Sequence, residues 1–304
     1  MSAIKTVVAT VNGQQYTLTY NAQTGAYEAS ITAPTNTSYH VNDGHYYPVS
    51  VVATDIAGNT TTINDTDAKF GNSLKLRVKE TVKPEIKFIT PTSGAGLTNN
   101  KPTFKLQVTD AGSGIDLSTF KLVIDGSETW IGDCTYTEIA NGYEITHTMT
   151  TALADGSHTI VGKVSDNDGN AATDVSITIK VDTVPPTLTI TAPADQIYVN
   201  KEGCTVNGTT NDATSSPVSV EITLNGNSVG SATVQSDGSF SKAITLVAGE
   251  NIIEVTATDA LGKFTKVTRT VFYDSSAPEF VSVSIAPNPV NTGATYKITV
   301  KLSS

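Results

Sequence analysis

Three stretches of the chain decide its fold: YPVSVVATDIAGN at residues 47–59, HTIVGKVSDNDGN at 158–170 and NIIEVTATDALGK at 251–263. In each stretch, apolar and polar residues alternate up to an aspartate, and a glycine follows three positions later. Strict alternation predicts a β-strand with one buried face, because successive side chains of a strand point to opposite sides. The side chains expected to point inward are Val49, Val51 and Ala53, then Ile160, Gly162 and Val164, then Ile253, Val255 and Ala257. The chain therefore repeats one strand-and-turn unit, and we predict an all-β fold.

The Asp-x-x-Gly step that ends each unit predicts a turn. An aspartate at the first position can accept a hydrogen bond from a backbone N–H, and a glycine at the fourth position tolerates a positive φ. The turn residues are Asp55 and Gly58, Asp166 and Gly169, and Asp259 and Gly262. Asp166 and Asp168 are also calcium candidates, but the acids are few and the twelve-residue calcium-loop pattern is absent. The sequence therefore predicts no metal site and no cofactor.

Linkers of one type divide the chain into segments. An acidic residue stands four positions before a proline at residues 80–84, 182–186 and 274–278, so the linker prolines are 102 and then 92 residues apart. This spacing is the size of a small β-sandwich. We predict an incomplete domain at residues 1–82, complete domains at 83–183 and 184–275, and the first two strands of a further domain at 276–304. The short, proline-stiffened linkers predict tandem immunoglobulin-like β-sandwiches arranged as an elongated rod.

The first and third repeats align without a gap, and the alignment shows where the first one begins. Residues 7–32 lie on residues 220–245 at a constant offset of 213 positions, which matches Asn12-Gly13 with Asn225-Gly226. In the third repeat two predicted strands precede Val220, but the first repeat has no counterpart of them. The end of the chain predicts such a pair, with an apolar face formed by Val281, Val283, Ile285, Tyr296, Ile298, Val300 and Leu302.

An incomplete sandwich and an unpaired hairpin lead to a hypothesis about assembly. A two-stranded hairpin is marginal alone in water, and an open sheet edge invites pairing. Two intervening sandwiches separate the two ends of the rod by very roughly 70 Å. The sequence favours either a fragment that is cut across a domain boundary or completion by a different neighbouring protein. The remaining hypothesis is that the last two strands of one chain complete the first domain of the next chain, which makes a head-to-tail filament.

The chain resembles bacterial immunoglobulin-like repeats through VDTVPPTLTITAP, VTDAGSGID and VTATDALG. The segment from TVNGTT to VTATDALG is similar to accessory immunoglobulin-like modules of bacterial surface and polysaccharide-acting proteins. APNPVNTGATYKITVKL and GHYYPVSVVATDIAGN resemble immunoglobulin-like proteins found among the tail genes of phages and prophages of Gram-positive bacteria. The resemblance covers nearly the whole chain and implies a sandwich fold, but such a fold hosts many unrelated functions.

Composition excludes several classes of protein. The net charge of −10 argues against nucleic acid as a partner, since phosphate backbones require a basic patch. No run of 18 apolar residues predicts a membrane span, and no hydrophobic signal region precedes the first predicted turn. Cys134 and Cys204 fall in different repeats, so no disulfide is predicted. No catalytic motif occurs, and we predict that the chain is not an enzyme and has no catalytic residues.

The sequence therefore predicts a structural or adhesive rod, either in a virion as a tail or fibre component or at an extracellular cell surface. A Met1 start without an export signal and the tail-gene resemblance favour the virion. The alternatives are the stalk of a bacterial adhesin and a glycan-binding accessory module of a polysaccharide-acting enzyme. For the last of these, Trp130, Tyr136 and Tyr143 are the aromatic side chains expected to stack on cell-surface glycan.

Overall fold

The computed structural model describes residues 3–303, which fold into β-strands joined by turns. The all-β prediction is confirmed, since the only helical elements within this range are three short 3₁₀ turns, at Ser38–His40, Gly71–Leu74 and Ile131–Asp133. Within the same range no helix has the length and apolar character needed to cross a membrane. The backbone groups into two compact units, one that ends at Val181 and one that begins at Asp182.

The first repeat contains a single sheet, with the strand order β3-β2-β1-β4-β5 and with β6 against β4. Asn12 and Gly13 join its first two strands with φ of 50° and 74°, as the Asn-Gly pair of a two-residue hairpin requires. The strands are β1 (Ile4–Val11), β2 (Gln14–Asn21), β3 (Ala26–Glu28), β4 (Tyr47–Asp55), β5 (Thr60–Ile63) and β6 (Lys75–Leu76).

The second repeat also belongs to the first unit, and it is a sandwich of two sheets. One sheet has the order β11-β10-β14-β15-β8 and the other β12-β13-β9-β7. The strands are β7 (Glu85–Thr90), β8 (Gly96–Leu97), β9 (Thr103–Thr109), β10 (Ile115–Ile124), β11 (Ser127–Trp130), β12 (Thr135–Ile139), β13 (Gly142–Thr148), β14 (Gly156–Asp166) and β15 (Val175–Val181). Alternate residues of the facing sheets form a dry core in which Phe104, Leu106, Phe120, Leu122, Ile145 and Ile160 are fully buried.

The second unit contains another sandwich and a separate hairpin. A three-stranded sheet, β16-β18-β21, faces a five-stranded sheet, β17-β23-β22-β19-β20, and β24 pairs only with β25. The strands are β16 (Thr187–Ala192), β17 (Ile197–Val199), β18 (Gly203–Asn211), β19 (Ser219–Leu224), β20 (Asn227–Ala232), β21 (Ser239–Thr245), β22 (Gly249–Thr258), β23 (Phe264–Tyr273), β24 (Phe280–Ala286) and β25 (Lys297–Leu302).

The three repeated stretches form β4, β14 and β22, and each ends in the same turn. Asp55, Asp166 and Asp259 each accept a hydrogen bond from the backbone N–H four residues later, at 2.8, 2.8 and 3.0 Å. The glycine in each turn has φ near +90° (Gly58, Gly169 and Gly262). The inward residues of β14 and β22 are buried, whereas Val49, Val51 and Ala53 of β4 are only half-buried. Among the described residues, the same strand is therefore less covered in the first repeat than in the other two.

The first residue of each repeated stretch fixes the loop before the strand. These residues are Tyr47, His158 and Asn251. The hydroxyl of Tyr47 donates to the carbonyl of Asn36 at 3.2 Å, and the amide of Asn251 donates to the carbonyl of Val247 at 2.7 Å. Buried His158 contacts two acceptors: Nδ1 lies 2.6 Å from Asp125 Oδ2, and Nε2 lies 2.7 Å from the carbonyl of Ala154. Because both ring nitrogens face acceptors, the doubly protonated imidazolium fits this place best.

His158 makes the stability of the second repeat depend on pH. Burial by itself lowers the pKa of His158, but the hydrogen bonds to Asp125 and Ala154 raise it above its ordinary value of 6.5. The stabilisation is therefore complete below pH 6.5 and is lost as pH rises through the raised pKa. We expect the urea midpoint reported by Trp130 fluorescence to fall across that window, and His158→Asn to remove that part of the fall. An identical pH profile in the variant would contradict this assignment.

Candidate functional site

Within residues 3–82 the structure describes one sheet, whereas the second and third repeats contain two sheets each. In the third repeat β19, β20 and β22 belong to the five-stranded sheet, and their counterparts in the first repeat are β1, β2 and β4. The facing sheet of the third repeat, β16-β18-β21, has only one counterpart, residues 26–32, which align with β21. Of these, only β3 is a strand, and it pairs with β2 instead. The positions of β16 and β18 are without an equivalent in the described part of the repeat.

The corresponding face of the first repeat bears a groove of mixed polarity, whose lining includes Asn12, Gln14, Lys75 and Arg77. This groove has a volume of about 690 Å³, and its apolar and aromatic side chains include Ala9, Val11, Tyr16, Ile31, Val49 and Leu76. Ile31, which aligns with the core residue Ile244, is 36% exposed, whereas Ile244 is 6% exposed. Ala9 and Val11 of the groove are buried, whereas Val49 and Leu76 are partly buried.

The C-terminal hairpin has one apolar face. Its register places Val283 opposite Val300 and Ile285 opposite Ile298, so these four side chains share one face. Ser284 pairs with Thr299, and Ser282 with Lys301, on the other face. The exposed fractions of these side chains are 58% for Val283, 47% for Val300, 48% for Ile285 and 55% for Ile298. The hairpin is thus amphipathic, and its apolar face contacts no core.

The hairpin has the same plan as the first strand pair of each complete sandwich. β7 pairs antiparallel with β9, and β16 with β18, as β24 does with β25. A proline directly follows the first strand in all three pairs, at Pro91, Pro193 and Pro287. The register shift differs: it lies near the C-terminal end of β7 and β16 but near the N-terminal end of β24. The sequence-derived assembly residues Val281, Val283, Ile285, Tyr296, Ile298, Val300 and Leu302 are all exposed by 47–58%.

Acidic side chains converge at two equivalent places. In the second unit, carboxylate oxygens of Asp182, Asp212 and Asp259 lie within 4.8 Å of one another, and all three residues are buried. In the first unit, Glu80, Asp110 and Asp166 form a cluster of the same kind. Each cluster joins the linker acid, the residue after the second strand of the first pair, and the turn aspartate.

Asp182 and Lys263 of the second-unit cluster shift each other's pKa. Burial by itself raises the pKa of Asp182, but the ammonium of Lys263 and hydrogen bonds from Val184 and Thr214 hold it below the ordinary value. Burial lowers the pKa of Lys263, but Asp182 and Asp259 raise it above the ordinary value. The ion pairs place Lys263 Nζ 2.9 Å from Asp182 Oδ2 and 3.2 Å from Asp259 Oδ2. Asp182 and Lys263 are therefore both held in their charged forms at neutral pH.

Of the two calcium candidates predicted from the sequence, only Asp166 belongs to an acidic cluster. Asp168 instead joins the first two repeats: its Oδ2 accepts from the hydroxyl of Thr37 at 2.5 Å and from the backbone N–H of Glu80 at 3.0 Å. The carbonyl of Asp168 accepts from Lys79 Nζ at 2.8 Å. These bonds attach the N-terminal sheet to the second sandwich. The sequence could not indicate this role, because the partners are about 90 and 130 positions away.

The three aromatic residues considered for glycan stacking lie on two sheets. Tyr136 and Tyr143 contact each other edge-to-face on β12 and β13, with ring centroids 5.7 Å apart. Trp130 ends β11, in the opposite sheet, and Lys121 Nζ lies 4.1 Å from the centre of its ring. Trp130 and Tyr136 are about half exposed, whereas Tyr143 packs against the core.

Comparison with known families agrees with this architecture. A family model described as bacterial Ig-like domain matches residues 90–183, and one described as glucodextranase, domain B matches residues 186–275. The chain is therefore similar to bacterial proteins of tandem immunoglobulin-like domains, and its second and third repeats are β-sandwiches. Domains of this kind suggest a structural or adhesive module, and they are generally non-catalytic.

Individual relatives cover only parts of the chain or resemble it distantly. Bacillopeptidase F from Bacillus subtilis (strain 168) is 38% identical over 117 residues, which are 38% of this chain and 8% of that protein. Fibronectin(III)-like modules of CbhA from Clostridium thermocellum are 18% identical, with a TM-score of 0.36, over 62% of this chain and 94% of that one. A tetra-tandem repeat from the extending region of a large adhesion protein is also 18% identical, with a TM-score of 0.36, over 98% of this chain and 79% of that one.

Proposed function

We propose that this protein is a non-catalytic structural element that assembles head to tail by strand donation. The hairpin β24–β25 of one copy inserts over the groove of the first repeat of the next copy. It takes the two positions that β16 and β18 occupy in the third repeat. One observation carries this proposal. Among the described residues, the sheet of the first repeat has no facing strand pair, and the strand pair β24–β25 has no facing sheet.

The energetics favour this occupant of the groove. Burying an exposed Val, Ile or Leu side chain contributes roughly 1.5–3 kcal/mol. Val283, Ile285, Ile298 and Val300, together with the apolar side chains of the groove, could therefore supply on the order of 10 kcal/mol before the cost of association. The polar face of the hairpin would remain in water, as does the outer face of the three-stranded sheet in a complete sandwich.

Head-to-tail donation is a heterologous contact, and such a contact generates an open filament unless the rotation closes a ring. A filament of immunoglobulin-like domains suits a virion tail or fibre, and the resemblance of the groove and hairpin segments to tail-gene proteins supports that location. An extracellular cell surface, as the stalk of an adhesin, is the alternative location for the same assembly. Its partners are then further copies of itself and neighbouring virion or surface proteins.

A second candidate function is that of an accessory module in a polysaccharide-acting enzyme. The match of residues 186–275 to domain B of glucodextranase favours it. It predicts a catalytic domain in the same gene and binding of a cell-surface glycan near Trp130, Tyr136 and Tyr143. Titration of Trp130 fluorescence with cell-wall polysaccharide tests this glycan-binding function. An unchanged fluorescence at millimolar sugar would exclude glycan binding near Trp130.

A pair of neighbouring substitutions tests strand donation. Val300→Lys places a charge on the apolar face of the hairpin, whereas Thr299→Lys places the same charge on the polar face. We expect Val300→Lys to weaken self-association at least 100-fold, because it removes buried apolar area and adds a charge to a dry interface. Thr299→Lys should weaken it less than about threefold.

The measurement is mean molar mass against protein concentration, by size-exclusion chromatography with light scattering. Mass that grows with concentration in the wild type and with Thr299→Lys, but not with Val300→Lys, supports the proposal. A wild type that stays monomeric at every concentration, or two variants that behave alike, would show that the hairpin does not join copies.

A further inference from the structure

We propose that Asp182, Asp212 and Asp259 form a binding site for one divalent cation that prefers oxygen ligands, with Ca²⁺ as its best match. The site lies within the second unit and is independent of strand donation. Three separate segments build it: the linker before β16, the residue after β18 and the turn after β22. The three residues are 0%, 7% and 6% exposed.

Backbone N–H groups hold the carboxylates of Asp212 and Asp259 by one oxygen each. Asp212 Oδ1 accepts from the N–H groups of Thr214 and Ser215, at 2.8 and 2.7 Å. Asp259 Oδ1 accepts from the N–H groups of Leu261 and Lys263, at 2.8 and 3.0 Å. Both carboxylates are thereby fixed in orientation before any ligand arrives.

The second oxygens are buried and receive no hydrogen bond. They are Asp182 Oδ2, Asp212 Oδ2 and Asp259 Oδ2. Burying a carboxylate oxygen without a partner is costly, and each such atom in a folded protein requires an explanation. The ammonium of Lys263 lies within ion-pair distance of two of these oxygens, so Asp212 Oδ2 is the one that has no partner among the described residues. All three are oxygen donors of the kind that a hard cation takes.

Lys263 compensates only part of the charge. Its ammonium lies within ion-pair distance of Asp182 Oδ2 and Asp259 Oδ2, but neither contact has the geometry of a hydrogen bond, and the ammonium donates to the carbonyl of Asp182 at 2.8 Å. Asp212 Oδ2 has neither an ion pair nor a hydrogen bond. The formal charges of three aspartates and one lysine sum to −2, which is the charge that one divalent cation neutralises.

The equivalent cluster in the first unit differs in the property that matters. At the position of Lys263 it has Asn170, whose side-chain amide donates to Asp166 Oδ2 at 2.7 Å. Asp110 Oδ2 accepts from the N–H groups of Gly112 and Gly114, at 3.1 and 2.7 Å. Asp166 Oδ2 and Asp110 Oδ2 therefore both accept hydrogen bonds. The first-unit cluster therefore serves as the matched comparison for the second.

Calorimetric titration of the chelator-treated protein with CaCl₂ tests the site, and MgCl₂ provides the selectivity arm. We expect Ca²⁺ to bind with a dissociation constant on the order of 10⁻⁴ M or tighter. Asp212→Asn should weaken this binding at least 100-fold or remove one equivalent of bound Ca²⁺, whereas the matched Asp110→Asn should leave it unchanged. Mg²⁺ should bind at least tenfold more weakly than Ca²⁺.

A substitution with the opposite expected sign keeps the test decisive should Asp212→Asn misfold. Lys263→Met removes the competing ammonium, and we expect it to tighten Ca²⁺ binding at least tenfold, because the cation then meets three uncompensated carboxylates. No heat of Ca²⁺ binding in either the wild type or Lys263→Met would overturn the proposal. Binding that Asp110→Asn abolishes and a folded Asp212→Asn retains would overturn it as well.

Discussion

Deleting residues 278–304 is expected to abolish self-association and to leave a monomer whose mass does not change with concentration. The deleted residues include both strands of the hairpin and its exposed apolar face. If only about 4 kcal/mol of the apolar burial survives the cost of association, its loss lowers the association constant about a thousandfold. Analytical ultracentrifugation over a wide concentration range measures this directly.

The truncated chain also acts as a terminator. It keeps the open groove but has no hairpin to donate, so adding it to the full chain should shorten the assemblies in proportion to its mole fraction. The urea midpoint of Trp130 fluorescence should stay unchanged, because this tryptophan lies in the other unit. Equal mass distributions for the full and truncated chains would mean that another surface, or no surface, joins the copies.

Phe104→Ala is expected to have the largest effect on stability. Phe104 lies on β9 with its side chain fully buried between the two sheets of the second repeat. Truncating a buried phenylalanine costs about 3–5 kcal/mol, because the transfer energy of the ring is lost and a cavity remains. That is a large fraction of the stability of an ordinary domain.

Urea unfolding followed by Trp130 fluorescence measures this loss, because Trp130 is the single tryptophan of the chain and lies in the same sandwich. The matched control is Thr103→Ala, whose exposed side chain stands on the other face of the same strand and shares a hydrogen bond with Thr148. We expect it to cost less than about 1 kcal/mol. A loss under 1 kcal/mol for Phe104→Ala would mean that the two sheets do not pack through this residue.

Much of the assembly site could be predicted from the sequence. The alternation of Val283, Ile285, Ile298 and Val300 indicates which face of the hairpin is apolar, since the two-residue period of a strand is a local property. The alignment of residues 7–32 with 220–245 indicates that the first repeat lacks a strand pair. Only the structure shows the groove itself, because its walls come from β1, β4 and β6 as well as from residues 29–35.

The cation site shows the opposite case. The sequence marks Asp182 as a linker acid and Asp259 as a turn residue, and it gives Asp212 no role. The neighbouring pair Asp166 and Asp168 draws attention as calcium candidates, yet the fold turns Asp168 towards Thr37 and Glu80. Convergence of the three acids depends on how β16, β18 and β22 pack together, and no local pattern encodes that.

The sequence by itself determines the strands, the Asp-x-x-Gly turns and the tandem sandwiches, because alternation and turn chemistry act over a few neighbouring residues. The tertiary structure alone decides which inward residues are truly buried: Val255 of β22 is fully buried, whereas Val51 of β4 is only half-buried. The two strands carry the same pattern. They differ because burial depends on a second sheet, and a second sheet is supplied by residues far away in the chain.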